Sequence, residues 1–104
     1  MAIPFIMIDL DRPRKLRFGM GAQVEFEQLT KTKIMDIGSE MSMETCAQIL
    51  WVMLKQEDKE ITLQKTMELI DEHTEDMNDA ISYVTKAIGA AFGDKNPNGG
   101  KPKK

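Results

Sequence analysis

Cysteine, histidine and tryptophan occur once each in this 104-residue chain, as Cys46, His73 and Trp51. A lone cysteine excludes an internal disulfide framework and fits a reducing cytosol. One cysteine and one histidine leave any zinc site dependent on carboxylates, at no recognisable ligand spacing. No apolar run approaches the roughly 20 residues a membrane-spanning helix requires. The apolar stretch Ile3–Ile8 is followed at once by Asp9 and Asp11 and preceded by no basic region, so it reads as a strand and not as a signal peptide. Aromatic residues make up only 6% of the chain, and the net charge is −3. That charge supplies no global attraction for nucleic acid or anionic membrane.

Groups for chemistry are equally sparse. His73 is flanked by Asp71 and Glu75, two residues away on either side, which on a helix puts both carboxylates on other faces. Cys46 lies on an apolar helical stripe and reads as a buried inert thiol. The acidic run from Asp71 fails the calcium-loop pattern, with Asp76 at the sixth position where Gly is needed and Ser82 at the twelfth where Glu is needed. Gly19-Met20-Gly21 lacks the third glycine and the Lys-Ser/Thr of a phosphate loop, and reads as a strand-to-helix junction. We therefore expect no catalytic residue, no metal site and no cofactor.

What the chain does contain is helical periodicity and patterned charge. Ile3–Ile8 and Lys15–Phe18 read as a hairpin around the turn residues Asp9–Pro13, with Pro4 confining the first strand to an edge or a strand start. A first helix is expected from Met20 to Thr30, with Ala22, Phe26 and Leu29 on one face and Val24 widening it. Ser42 is a candidate N-cap for a second helix running to about Gln56. Its stripe is Cys46, Ile49, Leu50, Met53 and Leu54, and Trp51 and Val52 lie off that stripe. A helix apolar beyond one stripe is either sandwiched in the core or offers a second face to a partner. A third helix is expected from an N-cap at Thr62 to His73, with Leu63, Met67 and Ile70 inward. A fourth, capped by Thr74, reaches Phe92 with Met77, Ala80, Ile81, Val84, Ile88 and Ala91 on one side, and Gly93 is a natural stop. The fold class is thus mainly α: a short N-terminal β-hairpin packed on a bundle of about four helices. Residues 1–93 form one domain, and 94–104, rich in Lys, Pro and Gly, read as a disordered tail.

Arg12, Arg14, Lys15 and Arg17 form a basic cluster, whereas Glu57–Asp79 holds nine acids against Lys59 and Lys65. Basic ends and an acidic middle suit self-association into a homo-oligomer. Nine methionines are the compositional oddity. Met fills irregular cores and also suits surfaces that adapt to partners. Met20, Met41, Met43 and Met77, near helix starts, are the candidates for the second use.

One segment resembles a known family. Leu16-Arg17-Phe18-Gly19-Met20-Gly21-Ala22, followed by Val24-Glu25-Phe26-Glu27-Gln28-Leu29-Thr30, is similar to the tail assembly chaperones of long-tailed (siphovirus-type) bacteriophages and prophages. Ala22, Glu25, Phe26, Glu27, Leu29 and Thr30 match, and Lys31 stands where Gly is common in that family. The stretch Cys46–Lys59 also resembles the family's second helix. The resemblance implies a non-enzymatic protein that binds the tape measure protein, helps recruit tail tube subunits, works in the host bacterial cytoplasm and is left out of the mature virion. Phe18, Ala22, Phe26 and Leu29 are then packing residues, with Glu25 and Glu27 on a solvent or partner face. The expected partner-binding residues are Trp51, Val52, Met41, Met43, Lys101, Lys103 and Lys104. The competing reading is a small prophage regulatory or DNA-binding protein, supported by the basic cluster and opposed by the lack of a basic recognition helix.

Overall fold

The computed structural model describes residues 3–36 and 42–93. The elements run β1 (Ile6–Asp9), β2 (Pro13–Leu16), α1 (Met20–Thr30), a short 3-10 turn at Ile34–Asp36, α2 (Met43–Lys55), α3 (Leu63–His73) and α4 (Met77–Ala91). This is the expected mainly α architecture, a two-stranded antiparallel hairpin followed by four helices. The expected tail at 94–104 lies outside the described residues.

Each helix begins where its local chemistry directs. The Ser42 hydroxyl accepts from Thr45 N–H at 3.0 Å and caps α2. The Thr62 hydroxyl does the same for Lys65 N–H at 3.0 Å and caps α3. The fourth helix departs from expectation. Thr74 does not cap it; its hydroxyl donates back to Ile70 O at 2.7 Å and closes α3. Asp76 takes the cap instead, accepting from Asn78 N–H at 2.9 Å, because α4 starts at Met77 and Thr74, the C-cap of α3, lies two residues before the N-cap position. Gly93 follows α4 with φ 67°, a left-handed stop that glycine adopts without a Cβ penalty.

α2 is the centre of the fold. It packs against α1, α3, α4 and β2, and β1 lies on α4. Ile49, Leu50, Val52, Met53 and Leu54 are all buried. Its stripe and, of its second face, Val52 are therefore in the core, and Val52, 0% exposed, has no surface to offer a partner. The reason is tertiary: α1 and the hairpin cover the face that the stripe leaves over. In α1, Ala22 and Phe26 are inward and Phe26 meets Phe18 edge-on at 6.5 Å between ring centroids. Leu29 is exposed, as are Val24, Met67, Met77 and Ile81, all expected inward. In α3 the buried side chains are Thr66, Leu69 and Ile70.

The hairpin disposes of the basic cluster. Ile8 pairs with Arg14 and Ile6 with Leu16, so Arg14 falls on the same inward face as those residues. It is only 5% exposed. Two hydrogen bonds of 3.0 Å reach the Asp11 carboxylate and one of 3.4 Å reaches Asp58 in the α2–α3 connection. Arg12 also lies 3.8 Å from Asp58, and Lys15 lies 4.0 Å from Glu57. Arg17 lies over the Phe5 ring at 4.2 Å and donates to Ile3 O. The pleat thus splits the cluster, and its charges meet partners within the chain.

Two predictions follow from local geometry. Lys31, the C-cap of α1, has φ 60° and ψ 22°, a left-handed conformation that costs an L-residue roughly 1–2 kcal/mol. Lys31→Gly removes that cost but adds unfolded-state freedom, so a net stabilisation of about 0.5–1 kcal/mol is expected in urea unfolding. The Arg14 hydrogen bonds, reinforced by the charges of Arg14 and Arg12, draw the Asp11 carboxyl below its ordinary 3.8 against an opposing contribution from desolvation. A carboxyl lower in the folded state stabilises fully above its unfolded pKa, and that stabilisation is lost as pH falls through the folded value. Asp11→Asn is therefore destabilising near neutrality, and its difference from the parent chain closes in acid, as chemical unfolding across pH would record.

Candidate partner-binding groove

α3 and α4 pack on α2 rather than on each other. Between them they leave an apolar groove of ≈ 180 Å3. α2 contributes Met43, Cys46, Ala47 and Leu50, α3 contributes Thr66, Met67, Ile70 and Asp71, and α4 contributes Met77 and Ala80. Small side chains at Ala47, Thr66 and Ala80 make the hollow. The Thr66 hydroxyl does not interrupt it, because it donates along its own helix to Thr62 O at 3.0 Å. Three thioethers from three helices converge at the rim: Met43, Met67 and Met77 are 49%, 39% and 41% exposed.

The groove floor is inert. Cys46 is buried, its Sγ lies 3.9 Å from Ala80 O, and burial pushes its thiol above the ordinary 9.0. A thiol held protonated and covered is a poor nucleophile. Among the described residues no group of three or more His, Cys, Asp or Glu side chains could hold a metal ion. No helix among them is long and apolar enough to cross a membrane.

Of the residues expected to face a partner, Met43 lines the groove, and Val52 is in the core. Met41, Lys101, Lys103 and Lys104 lie outside the described residues. Trp51 is half-buried and has intramolecular duties. Its Nε1–H donates to Ile61 O at 3.0 Å, which ties α2 to the connection leading into α3. The Lys55 ammonium sits 4.9 Å over the indole and forms an ion pair of 2.5 Å with Glu25 on α1. Glu25 is thus committed within the chain, and so is Glu27, whose Oε2 accepts from Ile34 N–H at 2.8 Å. Neither forms the free face expected of it.

Met67 escaped the sequence reading because at helical spacing it aligns with Leu63 and Ile70. A shift of the buried face toward Thr66 and Leu69 turns it outward, and that shift is set by where α3 lies on α2. The methionine count was the only signal in the sequence, and it does not say which thioethers meet. No protein-family model, no curated protein and no solved structure matches this chain.

The Trp51 hydrogen bond yields a direct test. Trp51→Phe keeps an aromatic ring but leaves the Ile61 carbonyl without its donor. A loss of about 1 kcal/mol is expected in equilibrium unfolding, with the helical circular dichroism spectrum preserved.

Proposed function

We propose that this chain is a tail assembly chaperone of a long-tailed bacteriophage or prophage. It binds the tape measure protein in the host bacterial cytoplasm, keeps it from aggregating until tail tube subunits are recruited, and does not enter the mature virion. The action is by protein–protein contact and involves no catalysis. The observation that carries this reading is the methionine-rimmed groove, an adaptable apolar surface with no chemistry at its base.

Two further points support it. The segment that resembles the chaperone family supplies Leu16, Phe18, Ala22 and Phe26 to the core, so the resembling residues are those on which the fold depends. At Lys31, where the family commonly has Gly, the backbone is left-handed, the conformation glycine favours. The competing reading as a DNA-binding protein loses Arg14, which is buried. Arg12, Arg14 and Lys15 are engaged by Asp11, Glu57 and Asp58, and a cation paired at home gains less from a phosphate.

The test is co-expression with a tape measure protein, the product of any long coiled-coil gene found next to this chain's own. The tape measure protein should move from the pellet to the supernatant and co-purify with the chain. Equal insolubility with and without the chain sinks the proposal. Met43→Asp combined with Met67→Asp should abolish the effect while leaving the thermal midpoint within a few degrees, since both side chains are exposed.

A further inference from the structure

We infer that the occupant of the groove is an amphipathic α-helix whose apolar stripe is flanked by Lys or Arg. The inference deepens the chaperone reading, because it rests on the groove being a partner surface and adds the chemistry of what fills it.

Size decides first. At ≈ 180 Å3 the groove is smaller than the roughly 300–1,000 Å3 that encloses a small organic ligand. It suits a row of side-chain knobs. Shape decides next. The walls are two helices lying on a third, and a helix seats its ridges in such a furrow. On α3 the lining runs from Thr66 to Asp71, about 9 Å of helix, which about two turns of a partner would span.

Charge then selects the flanks. Asp71 lines the groove itself. Glu68 in α3 and Asp76 and Asp79 at the start of α4 lie within two residues of the rim methionines Met67 and Met77 in sequence, off the groove lining itself. Among the described residues none of these four carboxylates forms an ion pair with a Lys or Arg. The acids at the other end of the same run behave differently, since Glu57 and Asp58 are taken up by the hairpin. The like charges of Glu68 and Asp71, neighbours three apart on α3, repel each other with no Lys or Arg to offset them among the described residues. A helix bearing cations beside its apolar stripe lowers this repulsion on docking, and one bearing carboxylates raises it. A second copy of the chain is disfavoured as the occupant. It brings the same acidic band, while its Arg12, Arg14 and Lys15 are already engaged.

The experiment uses the full chain and two synthetic helices of about 20 residues. Both carry one Leu/Ala stripe, flanked by Lys in the first and by Glu in the second. The Lys helix should bind at least about tenfold more tightly in fluorescence anisotropy, with the advantage shrinking as salt shortens the screening length from about 10 Å to about 3 Å. Asp71→Lys should weaken the Lys helix and strengthen the Glu helix, and Met67→Asp should weaken both by lost apolar contact. Thermal midpoints of both variants should match the parent, as both positions are exposed. Equal binding of the two helices, or indifference to Asp71→Lys, overturns the inference. So does a parent chain that is dimeric by sedimentation and made monomeric by Met67→Asp, which would assign the groove to a second copy. The two readings separate cleanly. A tape measure protein solubilised equally by the parent and by Asp71→Lys keeps the chaperone and removes the basic helix. A tape measure protein left insoluble beside tight Lys-helix binding does the reverse.

Discussion

Ile49, Leu50, Val52, Met53 and Leu54 occupy five of six consecutive positions, and none keeps more than 2% of its surface in water. Burying each such side chain is worth on the order of 1.5–3 kcal/mol, and a run this dense cannot be satisfied from one direction. The rest of the molecule answers that demand. α1 and β2 cover one side of α2, and α3 and α4 cover others. Trp51, the one large side chain in the run that stays half-exposed, anchors the following connection through its N–H.

Covering α2 from both ends of the chain brings the hairpin against the α2–α3 connection. Arg14 is the consequence. It points inward among apolar neighbours, where an unpaired guanidinium would be costly, and Asp11 and Asp58 make its burial tolerable. Asp58 is 44 residues away in sequence. The same contact draws in Arg12 and Lys15, so a basic patch in the primary sequence becomes a neutralised seam in the fold. The functional effect is a redistribution of free charge. Three of the four cations meet carboxylates, whereas Glu68, Asp71, Asp76 and Asp79 have no Lys or Arg partner among the described residues, and Asp71 lines the groove.

That groove is left because α3 and α4 both spend their buried faces on α2. Each keeps a methionine at its margin, and α2 adds a third. Thioethers fit varied apolar shapes at modest cost, which suits the proposed role of holding different stretches of one long partner. The reading of this protein as an assembly chaperone joins that surface to the family-like segment that builds the core. The proposed preference for a basic helix follows from the charge that the hairpin did not neutralise.

The helices were legible because their signals are local. Ser42 and Thr62 cap within three residues, the apolar stripes repeat at helical spacing, and Gly93 stops α4 with its own backbone. The hairpin was legible for the same reason, since Leu16 and Phe18 alternate with Lys15 and Arg17. Thr74 was misread because a hydroxyl at a junction can serve either helix, and only backbone geometry selects which. Val52, Met67 and the basic cluster were misplaced for a deeper reason. A 3.6-residue period identifies an apolar face and says nothing about what will cover it. By itself, the sequence determined the elements, their order and the scarcity of reactive groups. The tertiary structure alone decided that α2 is enclosed, that Arg14 meets Asp58, and that Met43, Met67 and Met77 share one groove, because each of these depends on how separate helices lie against one another.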